Sequence, residues 1–248
     1  MDIDVIDLKA FYADRLGRIA HRLILARIRR AWPNLDGSRL VGLGYATPYL
    51  ATFAAETERC LAFMPAPQGI MQWPHEAPNA AALVDTEMLP LDGGAVDRVL
   101  VVHCLEHADS PHETLREVWR ALAPGGRLIA VVPSRAGLWT RTEHTPFGHG
   151  RPFSRAQVTK LLRDSMFEPI GLTRALALPP TRNRLVVHNG ASWERVGTVL
   201  WPRFSGVLVV EATKLIRQRV VPVRQPRRQR VLAPALAPAA GLRPRVRS

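Results

Sequence analysis

Cysteine, lysine and long apolar runs are scarce in this chain, and each scarcity excludes something. Two cysteines occur among 248 residues, Cys60 and Cys104. Both fall in apolar runs with strand character, so no disulfide framework can be argued, and buried reduced thiols in a cytoplasmic protein are expected. No segment approaches the ~18 consecutive apolar residues that a membrane-spanning helix needs. The opening stretch MDIDVIDLKAFYADRL is acidic and lacks the basic and apolar regions of a secretory signal. A soluble, intracellular protein is the expectation. Lysine occurs three times against 31 arginines, a bias that weakens inference from basicity alone. Between Arg59 and His75 there is no acid at all.

What is present is enough hydrophobic sequence, 47%, for one sizeable core. The net charge of +13 is unevenly placed. Residues 221–248 hold seven arginines, five prolines and no acid, which leaves +6 for residues 1–220. This Pro/Arg/Ala-rich tail has no periodicity and is expected to be disordered. It is either a solvated extension or a segment that holds nucleic acid or an anionic membrane surface by counterion release. Three regions are therefore expected: an N-terminal helical extension over 1–36, a folded domain over 37–220, and the tail.

Residues 5–31 carry Ile6, Phe11, Leu16, Ile19, Leu23, Ile24 and Ile28 at near-helical spacing. That spacing predicts one long amphipathic helix, ended by Pro33 and the turn residues Asn34–Gly37. Strand and helix signals then alternate. Strands are expected at Leu40–Leu43, Cys60–Met64, Ala81–Val84, Val96–Val102, Arg127–Val132, Glu168–Ala177 and Gly206–Thr213. Helices are expected at Thr47–Thr57, Pro111–Leu122, Ser154–Asp164 and Trp193–Trp201, with Thr47, Asp109 or Ser110, and Ser154 as N-caps. The four-proline stretch Pro65–Pro78 reads as an irregular loop. Val96–Val102 is almost wholly apolar, as a strand buried on both faces must be. The alternation predicts an α/β fold: a Rossmann-like, doubly wound, mostly parallel seven-stranded sheet with helices on both faces. Ligands in such sheets bind at the carboxyl ends of the strands.

Those strand ends carry the informative residues. The strand Leu40–Leu43 runs into Gly42-Leu43-Gly44 and then Thr47-Pro48, a strand–turn–helix cradle. Farther on come Asp85 with Leu89-Pro90, Val96-Asp97, His103-x-Leu105-Glu106-His107, Arg116-Glu117, Arg120-x-Leu122 and Pro124-Gly125-Gly126. In that order, over some fifty residues, they resemble the central half of class I S-adenosylmethionine-dependent methyltransferases of the type 11, UbiE-like branch. The resemblance covers about residues 38–134.

The resemblance implies that S-adenosylmethionine is the cofactor and that the activity is methyl transfer to an unidentified acceptor, a small molecule or a macromolecule. It places Asp85, backed by Thr86, against the adenine amino group, and a carboxylate is a fitting acceptor for an exocyclic amine. It places His103 at the methionine end, with Glu106 and His107 following, and Gly42, Gly44, Tyr45 and Ala46 in the first cofactor loop. The chain also departs from the family. The acid expected before the loop glycines is Gly42, later glycines are Ala46 and Pro48, and the place of the ribose-clamping acid is Met64 or a near neighbour. Charge-assisted hydrogen bonds contribute about 1.5–3 kcal/mol each. Unless Tyr45, Gln68 or backbone carbonyls stand in, cofactor affinity falls by a large factor. The alternative reading is accordingly a non-catalytic binding or scaffold module with an eroded cofactor site.

Methyl transfer asks chiefly for positioning, with a base only where the nucleophile is protonated. Candidate acceptor-side groups lie in RTEHTPFGHGRPFSR, residues 141–155: His144 or His149 as base and Arg151 for an anionic or carbonyl-bearing acceptor, against a solvated loop that merely leads to Ser154. HCLEH, residues 103–107, also fits the H-x-x-E-H pattern of zinc peptidases. That chemistry needs both histidines on one helix, whereas His103 follows a strand directly, so no metal site is expected.

Overall fold

The computed structural model describes residues 3–181 and 204–216. Seven strands form one sheet: β1 Arg39–Gly44, β2 Arg59–Pro65, β3 Ala81–Val84, β4 Val96–Val102, β5 Leu122–Pro133, β6 Phe167–Ala175 and β7 Val207–Lys214. Their spatial order is β3-β2-β1-β4-β5-β7-β6. The pairs among β1 to β5 are parallel, and β7 runs antiparallel to both β5 and β6. The order reverses between β1 and β4, which makes their carboxyl ends the natural crevice of the sheet.

Helices cover both faces, and strand side chains alternate between them. Leu40, Ala62, Met64, Leu100, Val102, Ile129 and Val131 face one core, beneath α1 Val5–Ala13, α2 Arg15–Ala31 and α3 Thr47–Phe53. Val41, Leu43, Phe63, Val99, Val101, Leu128, Ala130 and Val132 face the other, beneath α4 Pro111–Ala121 and α5 Arg155–Asp164. The period-two alternation of side chains along a strand lets one apolar run such as Val96–Val102 supply both layers. No helix among the described residues is long and apolar enough to cross a membrane.

The N-terminal region differs from the single long helix its spacing predicts. Two helices form, separated by Asp14 in an extended conformation (φ −74°, ψ 164°). The fold-back needs Gly17, because a Cβ there would run into the carbonyl of Phe11. Tight backbone approach overrides a continuous helical pattern, and periodicity alone does not carry that information. Smaller differences follow the same logic. The third helix begins at Thr47 with Ala46 in the N-cap place and no side-chain cap, and it stops at Phe53. β5 starts at Leu122, its register with β4 shifting between Val96 and Arg98, while Gly125 holds a φ of 74°. The loop after β2 contains a 3-10 turn at Ala66–Gln68. Both thiols are free, with Cys104 buried and Cys60 only half-buried. The expected helix Trp193–Trp201 and the 221–248 tail lie outside the described residues.

Candidate functional site

A cavity of about 430 Å³ opens at the carboxyl ends of β2, β3 and β4. Its β3 side is Val84, Asp85, Thr86 and Glu87, its β2 side Pro65 to Gln68, and its β4 side His103, Cys104, His107, Ala108 and Asp109. Asp85 is fixed by accepting the Glu87 amide hydrogen at 2.8 Å through Oδ1, an Asx-type turn that follows from a short acid placed two residues before a free N–H. Thr86 is steadied by the Thr114 hydroxyl at 3.3 Å.

His103 is the hinge of the site. The chain leaves β4 through this residue at a φ of 50°, a left-handed conformation that costs a non-glycine residue roughly 1 kcal/mol or more. Three neighbours hold it there. Gln68 donates through Nε2 to the His103 carbonyl at 2.9 Å. Its imidazole Nε2 lies 2.9 Å from the hydroxyl of Tyr12 on α1, and its Nδ1 lies 3.5 Å from the Glu106 carboxylate. That carboxylate favours the proton on Nδ1, which leaves Nε2 to accept from Tyr12. Glu106 is 2% exposed, and neither of its carboxylate oxygens has a hydrogen-bond partner. Gln68 Oε1 is likewise buried and unpartnered.

Tyr12 sits in an aromatic box. Its ring stacks on Tyr45 at 5.6 Å between centroids and meets Tyr49 and His103 edge-on. Its hydroxyl lies 3.0 Å from that of Tyr49. Burial, reinforced by the Tyr49 neighbour, holds the Tyr12 hydroxyl well above its ordinary pKa, and burial pushes Tyr45 up to about 12. Both remain neutral donors at physiological pH. Burial also raises the Cys104 thiol, so it is no nucleophile near neutrality.

The expected site residues divide sharply. Asp85, Thr86 and His103 line the cavity. Gly42, Gly44, Tyr45, Ala46 and Met64 do not; all five are buried behind it. A Cβ at Gly42 would stand 2.6 Å from a Leu50 methyl and 2.7 Å from the Ala46 Cβ, so the place of an acid is filled by hydrocarbon. Met64 is wholly buried in the core, where its sulfur accepts from the Met71 amide. His144 and His149 line a second cavity of about 450 Å³, between α1 and residues 143–149, together with Asp7, Phe11, Asp14 and Glu143. His149 bonds through Nε2 to the Glu143 carbonyl at 2.7 Å. Arg151 is exposed, lines neither of these cavities, and contributes its amide to the Glu106 carbonyl. Sequence reasoning reaches Glu106 and Gln68 but not Tyr12, which is one aromatic residue in a helix with nothing in its spacing to mark it. The zinc-peptidase pattern has no helix beneath it: His103 to His107 run through turns.

The methyltransferase-domain family model matches residues 40–130. Solved structures with the same fold include a methyltransferase of Haloferax volcanii in complex with the Trm112 methyltransferase activator. It is 21% identical, covers 86% of this chain and 99% of its own, and superposes with a TM-score of 0.61. An S-adenosylmethionine-dependent methyltransferase of Thermotoga maritima is 20% identical over 85% and 96% of the two chains, with a TM-score of 0.59. The Burkholderia thailandensis 1,6-didemethyltoxoflavin-N1-methyltransferase, holding its substrate and S-adenosylhomocysteine, is 18% identical over 79% of each, with a TM-score of 0.51. No curated protein matches the chain in sequence. The strand order, the crevice at the β1/β4 reversal and the match over residues 40–130 converge on a Rossmann-like methyltransferase fold, with residues 40–130 similar to the methyltransferase domain.

Proposed function

We propose that the protein is an S-adenosylmethionine-dependent methyltransferase acting on a small acceptor, with the cofactor's adenosyl half in the cavity at the ends of β2, β3 and β4. The observation that carries this is the placement of Asp85, Thr86, Cys104 and His107 around a cavity of about 430 Å³ at the carboxyl ends of β2, β3 and β4, beside the strand-order reversal. The adenosyl half fits there: Asp85 Oδ2 makes no bond in its turn and is free to accept from an exocyclic amine, while Val84 and Pro65 offer apolar walls. The methionine half does not fit while α1 is seated. The loop Gly44–Thr47, which would cradle it, is buried, and the Tyr12 ring stacks on Tyr45.

On the acceptor side we place the second cavity, with His144 or His149 as the base. Arg151 lies at the exposed end of the same segment. An edge-on contact of Phe11 with Phe147 and a tilted contact of Phe147 with His103 link the two cavities. The alternative, a non-catalytic module, is favoured by Gly42 and Met64, neither of which has space or setting for a carboxylate. Calorimetric titration with S-adenosylhomocysteine separates the two. Binding that weakens about 10–100-fold in Asp85→Ala, the loss of one charge-assisted hydrogen bond, supports the methyltransferase. No heat at millimolar ligand with intact protein supports the module.

A further inference from the structure

The cofactor loop is intact in backbone but covered from above by a part of the chain itself. Tyr12 is 8% exposed, its ring stacked on Tyr45 and its hydroxyl bonded to His103 at the end of β4. The open cavity ends at Gln68, His103 and Cys104 and touches no residue of Gly42–Thr47. Around His103, three buried acceptor atoms lack hydrogen bonds, both oxygens of Glu106 and Oε1 of Gln68; His103 Nδ1 faces the Glu106 carboxylate at 3.5 Å, beyond hydrogen-bond geometry. Buried acceptors without donors are costly unless a ligand supplies the donors. A methionine half brings an ammonium group and a sulfonium, both cationic, to this end of the cleft.

We infer that Tyr12 is an internal occupant of the methionine seat, and that Glu106, facing His103, is the carboxylate that answers the positive charge of the methionine half once α1 swings away. This rests on the methyltransferase reading above and assigns two specificity-determining residues within it. Glu106 takes over the counter-charge that Gly42 and Met64 cannot provide. The hinge is the break at Asp14, where α1 ends in extended backbone and α2 begins without a side-chain cap. Leu8 and Tyr12 seat α1 in the core, and the close packing of Gly17 against the Phe11 carbonyl lets α1 fold back onto it. The outer side of α1 is weakly committed: Ile6 is 72% exposed. With α1 seated, the cleft recognises adenosine alone; with α1 displaced, it recognises the whole sulfonium cofactor.

The test compares adenosine with S-adenosylmethionine, by calorimetry, on the full chain. The unaltered protein binds the two within about threefold of each other. Tyr12→Ala tightens S-adenosylmethionine at least tenfold and leaves adenosine within twofold. Gly17→Ala, which alters no side chain of the cleft, does the same by unseating α1, and it serves if Tyr12→Ala does not fold. Adding Glu106→Gln to either variant removes the gain for S-adenosylmethionine and spares adenosine. Trypsin cleavage after Arg15 is accelerated by S-adenosylmethionine and not by adenosine. Two results overturn the inference: an unaltered protein that prefers S-adenosylmethionine strongly while Arg15 stays protected, or variants that tighten both ligands equally. If neither ligand binds any of the proteins, the methyltransferase reading falls and takes this inference with it. Adenosine binding without any gain in the variants removes this inference alone.

Discussion

Gly44 closes β1 at a φ of 84°, and a Cβ there would collide with the carbonyl oxygen of Val102 and the Cys104 side chain. Two costs fall on one position: a left-handed backbone and an approach of β1 to β4 that leaves no room for a methyl group. Gly37 shares the positive φ, at 66°, but has nothing within 4 Å of its missing Cβ. The pair isolates crowding from conformation. Gly37→Ala should cost about 1 kcal/mol, the left-handed penalty alone, and Gly44→Ala about 3 kcal/mol or more, since backbone must also shift. Urea unfolding of both variants measures the difference; equal losses would mean that the β1–β4 approach can relax. At this scale the sequence was partly legible. Gly42-Leu43-Gly44 announces a tight strand–helix turn, and Asp85 follows β3 as motif order requires. That the turn is covered by Tyr12 was not legible, because a stacking contact between residues 33 apart leaves no local pattern.

Elements declare themselves where their ends are chemically marked. The α5 helix carries a full capping box, with Ser154 accepting from the Gln157 amide at 3.2 Å and the Gln157 side chain accepting from the Ser154 amide at 2.9 Å. Ser154 and Gln157 stand at the spacing that motif demands, so the start of the helix could be placed from sequence. Ser154→Ala should destabilise the protein by about 1 kcal/mol, read as a lower midpoint in thermal or denaturant unfolding. A midpoint unchanged within error would show that α5 is held by packing alone, through Val158, Leu161 and Leu162. β4, bounded as expected at Val96–Val102, was equally readable because a run buried on both faces has no competing interpretation. The α1–α2 break was not, since its cause is a carbonyl approaching Gly17 from the preceding turn. Asp14, which caps neither helix with its side chain, gives no capping signal there.

At the scale of the whole molecule, the N-terminal helices are bound to the sheet domain by polar contacts that include Tyr12 with His103, Arg29 with Glu56, and His21, whose pKa burial shifts, with Pro48. His21 on α2 donates through Nε2 to the Pro48 carbonyl at 3.0 Å and packs 5.0 Å from the Tyr49 ring. Burial lowers its pKa and the nearby Arg22 guanidinium adds to that, with the Pro48 carbonyl opposing them. A histidine whose folded pKa is depressed binds protons more readily when unfolded. Its contribution is therefore intact above the unfolded value of about 6.5 and is lost as the pH falls from there through the folded pKa. Unfolding free energy of the natural protein minus that of His21→Gln, which keeps a donor but cannot charge, should be flat above about pH 7.5 and decline on acidification below about 6.5. Subtraction cancels groups that both proteins share, including Asp97, whose carboxyl is held below the usual range by Arg39 and acts only at much lower pH. Parallel curves from pH 7.5 to 5 would show that His21 titrates alike in the folded and unfolded states. A declining difference would mean that acid weakens the α2–α3 contact, because a charged His21 has to be stripped of water to keep its place against the Pro48 carbonyl and the Tyr49 ring.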